Sequence, residues 1–311
     1  MAGREFELIY RHLGMFGAGP QVRLGVGDDA AVLALPANSE LVVSSDTVVE
    51  GTHFPEFTLP EHVATRAVAA AASDLAAMAA DPLAMTLALT LPDPDELWLH
   101  SFSQGLGRCV EALSLPLVGG DLTRGPLSAT VTVMGSVPNG GALPRSGARP
   151  GDWLCVTHTL GDAAAGLALI LGQLQGDDEI ALEDEEFLES RFYRPTARLE
   201  WVPWLREHAR GAIDISDGLL ADVAHMANAS GCACVIDSKA IPLSPALSRF
   251  DQKQCLDWAL AGGDDYELAV AVPPNTVLPP GLIQVGEFHE GTGVQCDYIP
   301  AERVGFNHFG A

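Results

Sequence analysis

Residues 63–91 read VATRAVAAAASDLAAMAADPLAMTLALTL, and this stretch restricts the fold more tightly than any other. Its alanine-rich first part favours helix, Pro60 suits the first helical turn, and Asp81-Pro82 stops it. The pattern predicts a helix over 60–80 and a strand over 84–91. Asp74, Asp81 and Pro82 interrupt the apolar run, which excludes a membrane span. The helix has too little polar surface to face water and is expected in a core, beside the strand that follows it.

The flanking sequence predicts helices at 4–14, 94–113, 162–174, 196–208 and 218–229. Strands are expected at 22–35, 40–48, 115–119 and 128–137, in WLCVT, and in a segment ending at IDIS. The acidic run GDDEIALEDEEFLES reads as a solvated loop with part of a helix. Residues 138–152, PNGGALPRSGARPGD, are dense in proline, glycine and arginine and mark a boundary. The expected organisation is an N-terminal domain over 1–137, a linker over 138–151 and a C-terminal domain over 152–311. Helices and strands alternate without a regular βαβ period, which points to α/β domains with mixed sheets. LVGGDLT and LAGGDDYEL form a faint internal echo, each placing Gly-Gly-Asp after an apolar stretch.

The formal net charge of −24 argues against sequence-independent nucleic-acid binding and against an anionic membrane surface. A phosphorylated ligand would need bound cations to mediate the contact. The 17 basic residues include only two lysines, Lys239 and Lys253, neither in a glycine-rich loop. That excludes a Walker A motif and argues against a protein-kinase lysine or a Schiff base. The six cysteines show no CxxC or zinc spacing and read as reduced core residues of a cytoplasmic protein. The N-terminus, MAGREFELIYRHL, is amphipathic and charged, unlike a signal peptide.

Asp and Glu number 41, so most carboxylates are ordinary surface. The informative ones sit in apolar or glycine-rich surroundings: Asp29 in GVGDD, Asp46 in LVVSSDTVVEG, Asp74 in the alanine helix, Asp121 after LVGG, Asp214 and Asp217 in AIDISDGLL, and Asp264 with Asp265 after LAGG. Some have plain alternatives. Asp217 or Ser216 can cap the helix that follows, and Asp28 or Asp29 can shape a turn. His53 by default is a satisfied loop histidine. Asp74 is too far inside its helix to cap it. Together, oxygen ligands without a matching His or Cys cluster suit a hard cation, Mg²⁺ or Mn²⁺. Adjacent glycines let the backbone approach a phosphate.

The motifs GVGDDAAVL, VVSSDTVVEGTHF, SDLAAMAADP, GGDLTRGP, RSGARPGDW, DISDGL, GGDDYEL and GFNHF, in that order, resemble the thiamine-monophosphate kinase family along nearly the whole chain. The resemblance implies two α/β domains of the aminoimidazole ribonucleotide synthetase fold, and a homodimer formed through the N-terminal domain. It implies transfer of the γ-phosphoryl group of ATP to thiamine phosphate, directly and without a covalent intermediate, with several Mg²⁺ ions between the two substrates. Carried over by motif, the metal ligands are Asp29, Ser44, Ser45, Asp46, Asp74, Asp121, Asp214 and Asp217. Nucleotide contacts fall to Gly120, Asp121, Arg145 and Ser216, and acceptor contacts to His53, Asp264 and Phe306. No side chain is expected to act as general base.

The chain departs from the family at Asp264, where glutamate is usual, and at Phe306, where an aromatic with a hydroxyl is common. Related enzymes of the same fold fit less well. A synthetase-like DGVGTK is replaced here by DTVVEG, no cysteine lies near the N-terminus, and the chain ends FGA. A non-catalytic cation- or nucleotide-binding protein is the alternative of another class.

Overall fold

In a computed structural model, residues 4–174 and 180–300 are described. The chain divides into two compact units, residues 1–75 with 80–142, and residues 76–79 with 143–311. The proline- and glycine-rich segment is shared between them, residues 138–142 going to the first and 143–151 to the second.

The first unit contains α1 (Arg4–His12), β1 (Val22–Leu24), β2 (Val32–Leu33), β3 (Ser39–Val49), α2 (Pro60–Ala77), β4 (Asp81–Leu91), α3 (Glu96–Leu113), β5 (Leu117–Arg124) and β6 (Ser128–Pro138). Strands β3, β6, β4 and β5 form one sheet in that order, with β4 and β5 parallel and the other pairs antiparallel. Helix α2 is buried on nearly all sides: Val63, Ala64, Ala67, Val68, Ala71, Ala72 and Leu75 are each at most 1% exposed. Its end is built by Ala79 in the left-handed region, with the N–H of Ala79 on the carbonyl of Ala76 and that of Ala80 on the carbonyl of Leu75. Helix α3 starts on Asp95, whose carboxylate accepts the N–H groups of Leu97 and Trp98.

The strand expected over 22–35 is broken. β1 and β2 pair antiparallel around an irregular exposed turn that carries Asp28 and Asp29. Adjacent carboxylates do not fit a buried strand, so the chain leaves the sheet there and exposes them.

The second unit contains β7 (Trp153–Thr157), α4 (Asp162–Ile170), α5 (Leu182–Tyr193), α6 (Val202–His208), β8 (Gly211–Ile215), α7 (Leu219–Ser230), β9 (Ala233–Ile236), α8 (Gln252–Ala261), β10 (Glu267–Val272), β11 (Leu282–His289) and β12 (Gly293–Cys296). Its sheet runs β12-β9-β11-β7-β10-β8, parallel only between β12 and β9. Helices cover both faces. Ala269 and Ala271 of β10 pack toward α7 and α8, while Leu268, Val270 and Val272 pack toward Trp201 and Leu205. The helix expected over 162–174 ends at Ile170. The helix expected from 196 begins at Val202, after a short 3₁₀ turn over Leu199–Trp201. The acidic run is more helical than expected, because Leu188 and Phe192 on α5 find a core to bury in. The Gly-Gly-Asp echo has no structural counterpart: Gly119–Asp121 lie within β5, whereas Gly262–Asp264 lie in the loop before β10.

Glu267, fully buried at the start of β10, organises this unit. Arg191 of α5 donates to its Oε1 at 2.7 Å, Arg198 donates to both of its oxygens, and the Thr157 hydroxyl donates to Oε2 at 2.6 Å. Removing the acid takes the closest partner from two nearly buried guanidinium groups and leaves Arg191 with Asp162 at 3.9 Å and Arg198 with Glu200 at 3.4 Å, a loss of about 3 kcal/mol. Glu267→Ala is therefore expected to lower the thermal midpoint of this unit strongly, read by calorimetry. A midpoint unchanged from the parent would show that the network contributes nothing.

Candidate functional site

Strand alternation sorts the carboxylates of the first unit. On β3, Ser45 and Thr47 pair their hydroxyls with Thr132 and Thr130 of β6, at 2.9 and 2.8 Å. Ser44 and Asp46 point to the opposite face. There the Ser44 hydroxyl donates to Asp74 of α2, and Asp74 lies within hydrogen-bonding range of Asp46. Burial, and then the negative charge of Asp74, push the Asp46 carboxyl up to about 6. Among the described residues neither acid has an ion-pair partner. The structure thus brings Ser44, Asp46 and Asp74 together and turns the Ser45 side chain away from them.

Asp29, Gly120 and Asp121 meet elsewhere. They line a cavity of about 530 Å³ with Asp28, Thr86 and Leu87, walled by Phe6, Ile9, Tyr10 and Leu13. Gly120 has φ 150, and a Cβ there would lie 1.8 Å from the carbonyl oxygen of Leu87. Only glycine lets β5 pass β4 this closely. Register places Asp46, Val131, Leu87 and Gly120 in one row across the sheet. Three strand spacings, about 14 Å, therefore separate Asp46 from Gly120. One Mg²⁺ ion, with bonds of about 2.1 Å, cannot serve both edges.

His53 follows β3 in a tight turn. Its Nδ1 accepts the N–H of Val49 at 3.0 Å, which leaves the proton of the neutral ring on Nε2. The buried guanidinium of Arg66 donates to the His53 carbonyl at 2.9 Å and holds the turn.

In the second unit, Asp214 lies at 8% exposure near the end of β8, and Ser216 and Asp217 follow in a loop. The loop is tied to the 262–266 segment, since Asp264 N–H donates to the Ser216 carbonyl and Tyr266 N–H to that of Ile215, both at 2.9 Å. Asp214, Ser216, Asp217 and Asp264 are thereby gathered at one end of the β8–β10 pair. Neither Ser216 nor Asp217 caps α7. The cap position is Gly218, with no side-chain cap bond, so the capping alternative fails. Asp222, one turn inside the helix, instead reaches back and accepts the N–H groups of Ser216 and Asp217, both at 3.0 Å. Burial pushes the Asp222 carboxyl up to about 7, against the pull of those donors.

Arg145 is not brought to Ser216. Its carbonyl accepts from Ser230 at the far end of α7, a helix of 12 residues and about 18 Å. Phe306 lies outside the described residues. Sequence reasoning missed Phe6, Tyr10, Thr86 and Asp222. A wall of apolar side chains on α1 carries no motif, and Asp222 looks like any acid in a first helical turn.

Among the described residues, no group of three or more His, Cys, Asp or Glu side chains forms a metal site alone. The Asp46–Asp74 pair, half-buried and unneutralised, fits an ion that takes one or two carboxylates from protein and completes its shell with water and phosphate. Mg²⁺ has that chemistry. No helix of the described residues is long and apolar enough to cross a membrane.

Comparison with known proteins gives a consistent set of relatives. Residues 27–137 match the AIR synthase related protein N-terminal domain, and residues 149–277 its C-terminal domain. The thiamine-monophosphate kinase of Escherichia coli (strain K12) is 47% identical over 298 residues, 95% of this chain and 90% of that protein. The crystal structure of the thiamine-monophosphate kinase from Stenotrophomonas maltophilia K279a superposes with a TM-score of 0.86 at 40% identity, covering 94% of this chain and 96% of the other. AaThiL complexed with AMPPCP and TMP superposes with a TM-score of 0.81 at 31% identity, covering 98% and 96%.

The Asp46 carboxyl ionises at about 6 in the folded protein and near 3.8 when unfolded. The folded form holds this proton more tightly, so the stability it contributes is lost as pH rises toward and through about 6. A divalent cation relieves the repulsion that remains above that pH. Addition of Mg²⁺ should raise the thermal midpoint at about pH 7.5 by at least about twice as much as at about pH 5, and Asp46→Asn should shrink the difference. Equal shifts at the two pH values would separate the pair from cation binding.

Proposed function

The chain belongs to the thiamine-monophosphate kinase family, and from that membership we propose that it transfers the γ-phosphoryl group of ATP to thiamine phosphate, yielding thiamine diphosphate and ADP. The observation that carries the reading is the pairing of acids with no basic partner, Asp46 against Asp74, on a sheet whose opposite edge borders a cavity that holds Asp29 and Asp121. An acidic protein of net charge −24 can receive a triphosphate there only with cations.

Asp29, Asp46, Asp74 and Asp121 in the first unit, and Asp214 and Asp217 in the second, would hold Mg²⁺. Bound there, the ions would cancel phosphate charge and polarise the transferring group. Ser44 orients Asp74 through its hydroxyl. The Ser45 side chain lies on the face opposite Asp46, so it would join the Asp46–Asp74 pair only through its backbone. Gly120 lets β5 lie close against β4 at the edge of the cavity, and Phe6 and Tyr10 offer the nucleotide an apolar, aromatic wall. Ser216 contributes from a loop whose amides Asp222 fixes. Arg145 is assigned to the nucleotide on family grounds alone, as Phe306 is to the acceptor.

His53 presents Nε2–H as a donor for an acceptor phosphate oxygen, and Asp264 presents a carboxylate to the cationic part of the acceptor. The nucleophile is a phosphate-monoester oxygen whose second pKa is about 6, so near neutrality it needs no base. Transfer then depends on positioning and charge cancellation, in line and without a covalent intermediate. A second copy of the chain is the expected partner. The open face of the first unit's sheet supports this, since β3 is an edge strand with Leu41 and Val43 about half exposed.

Steady-state kinetics test the acceptor assignment. His53→Ala and Asp264→Ala should each raise KM for thiamine phosphate by about tenfold or more while leaving KM for ATP within about twofold. An equal effect on both substrates, or an effect on ATP alone, would reassign the residue.

A further inference from the structure

Asp264 and Tyr266 both occupy the left-handed region, at φ 68 and φ 50, with one residue between them. Side-chain-bearing residues avoid this conformation, so two in three residues persist only where the surroundings hold them. The backbone bonds to Ile215 and Ser216 supply part of that hold.

The residue between them supplies another part. Asp265 is 1% exposed, and its Oδ2 accepts the N–H of Gly161 at 2.8 Å. Gly161 is the cap residue of α4, at φ 84, and a Cβ there would stand 2.7 Å from the backbone nitrogen of Ala259 in α8. The amide that Asp265 grips is therefore wedged between two helices and cannot drift. Oδ1 of Asp265 is buried without a hydrogen-bond partner. Burial drives this carboxyl well above the ordinary range, outweighing the pull of the Gly161 N–H and of Arg191, while Asp162 and Glu267 add to the rise. Buried and bonded to a backbone amide, the group serves as a strut and presents no oxygen to a cation from solvent. On the other side of the strut, the Tyr266 hydroxyl donates to Oδ1 of Asp264 at 3.2 Å.

We propose that Asp265 and Tyr266 are positioning residues for the acceptor: the Asp265–Gly161 clamp holds the strained 264–266 turn, and the Tyr266 hydroxyl aims the Asp264 carboxylate. The proposal rests on the reading of Asp264 as an acceptor contact and extends it to two residues that touch no substrate. It also bears on the shorter acid at position 264. A side chain one methylene shorter than the family's usual glutamate needs its backbone and its direction fixed more firmly.

The test uses the full chain, with ATP and thiamine phosphate varied separately. Asp265→Ala and Tyr266→Phe should each raise KM for thiamine phosphate about fivefold or more and leave KM for ATP within about twofold. Asp265→Asn keeps an oxygen for the Gly161 N–H and replaces the partnerless oxygen with an amide; it should bring KM back to within about threefold of the parent. Asp264→Ala, measured beside them, separates the two levels of the argument. If it leaves KM for thiamine phosphate unchanged, the acceptor reading falls and the proposal with it. If it raises that KM while Tyr266→Phe and Asp265→Ala do not, the acceptor reading stands and the positioning proposal is overturned. Parallel increases in both KM values, or an Asn variant no better than Ala, also overturn it. Should Asp265→Ala fail to fold, Tyr266→Phe, which removes a single hydroxyl, decides.

Discussion

Asp46 and Asp74 face each other between an edge strand and a buried helix, and the proposed cation chemistry of the first unit depends on that contact. Carboxylates half removed from water are costly, and more so as a pair without a counter-ion. The chain could have avoided the cost with a lysine or arginine, as it does at Glu267 with Arg191 and Arg198. It has instead set the two acids against each other, with Ser44 holding one of them. An arrangement that costs stability in the empty protein and is relieved by a cation has the character of a binding site. With cations bound, the same arrangement would let a chain with 41 acidic residues admit a polyphosphate.

The second unit uses buried acids in the opposite way. Glu267 is saturated by donors, Asp222 collects the amides of the 216–217 loop, and Asp265 collects that of Gly161. Asp222 and Asp265 brace the loops that bear Ser216, Asp217 and Asp264. The distinction is one of partners: an acid that accepts from amides, hydroxyls or guanidinium groups orders the chain, and an acid that faces another acid has the chemistry to take a cation.

Much of this was legible in the sequence. Helix α2 followed from alanine, Pro60 and Asp81-Pro82, and its burial from the lack of a polar face. The candidate site motifs stood out because aspartate beside glycine recurs in apolar surroundings. What escaped depended on the third dimension. In a strand over 40–48 the period of two already puts Ser44 on the face of Asp46 and Ser45 on the other; what LVVSSDTVV does not say is which of those faces meets Asp74 on another element. Asp222 and Asp265 resemble ordinary acids until their amide partners, up to 104 residues away, are placed beside them. The broken strand at 22–35 shows the reverse case, in which hydrophobic pattern suggested continuity and two charges prevented it. Ser216 and Asp217 looked like helix caps because a helix does begin just after them, but Gly218 takes that position.

The central claim is that the site aspartates act through cations, with the acceptor's own phosphate as the nucleophile and no side chain as base. The most direct measurement is the pH dependence of kcat for thiamine phosphate beside an analogue whose phosphate has a shifted second pKa. The account predicts a single rise that tracks the acceptor's ionisation, near or below about pH 6 for thiamine phosphate, then a plateau, with the whole profile displaced for the analogue. A limb that stays fixed for both acceptors, and disappears in one Asp or His variant that still binds Mg²⁺, would establish an enzymic base and contradict it.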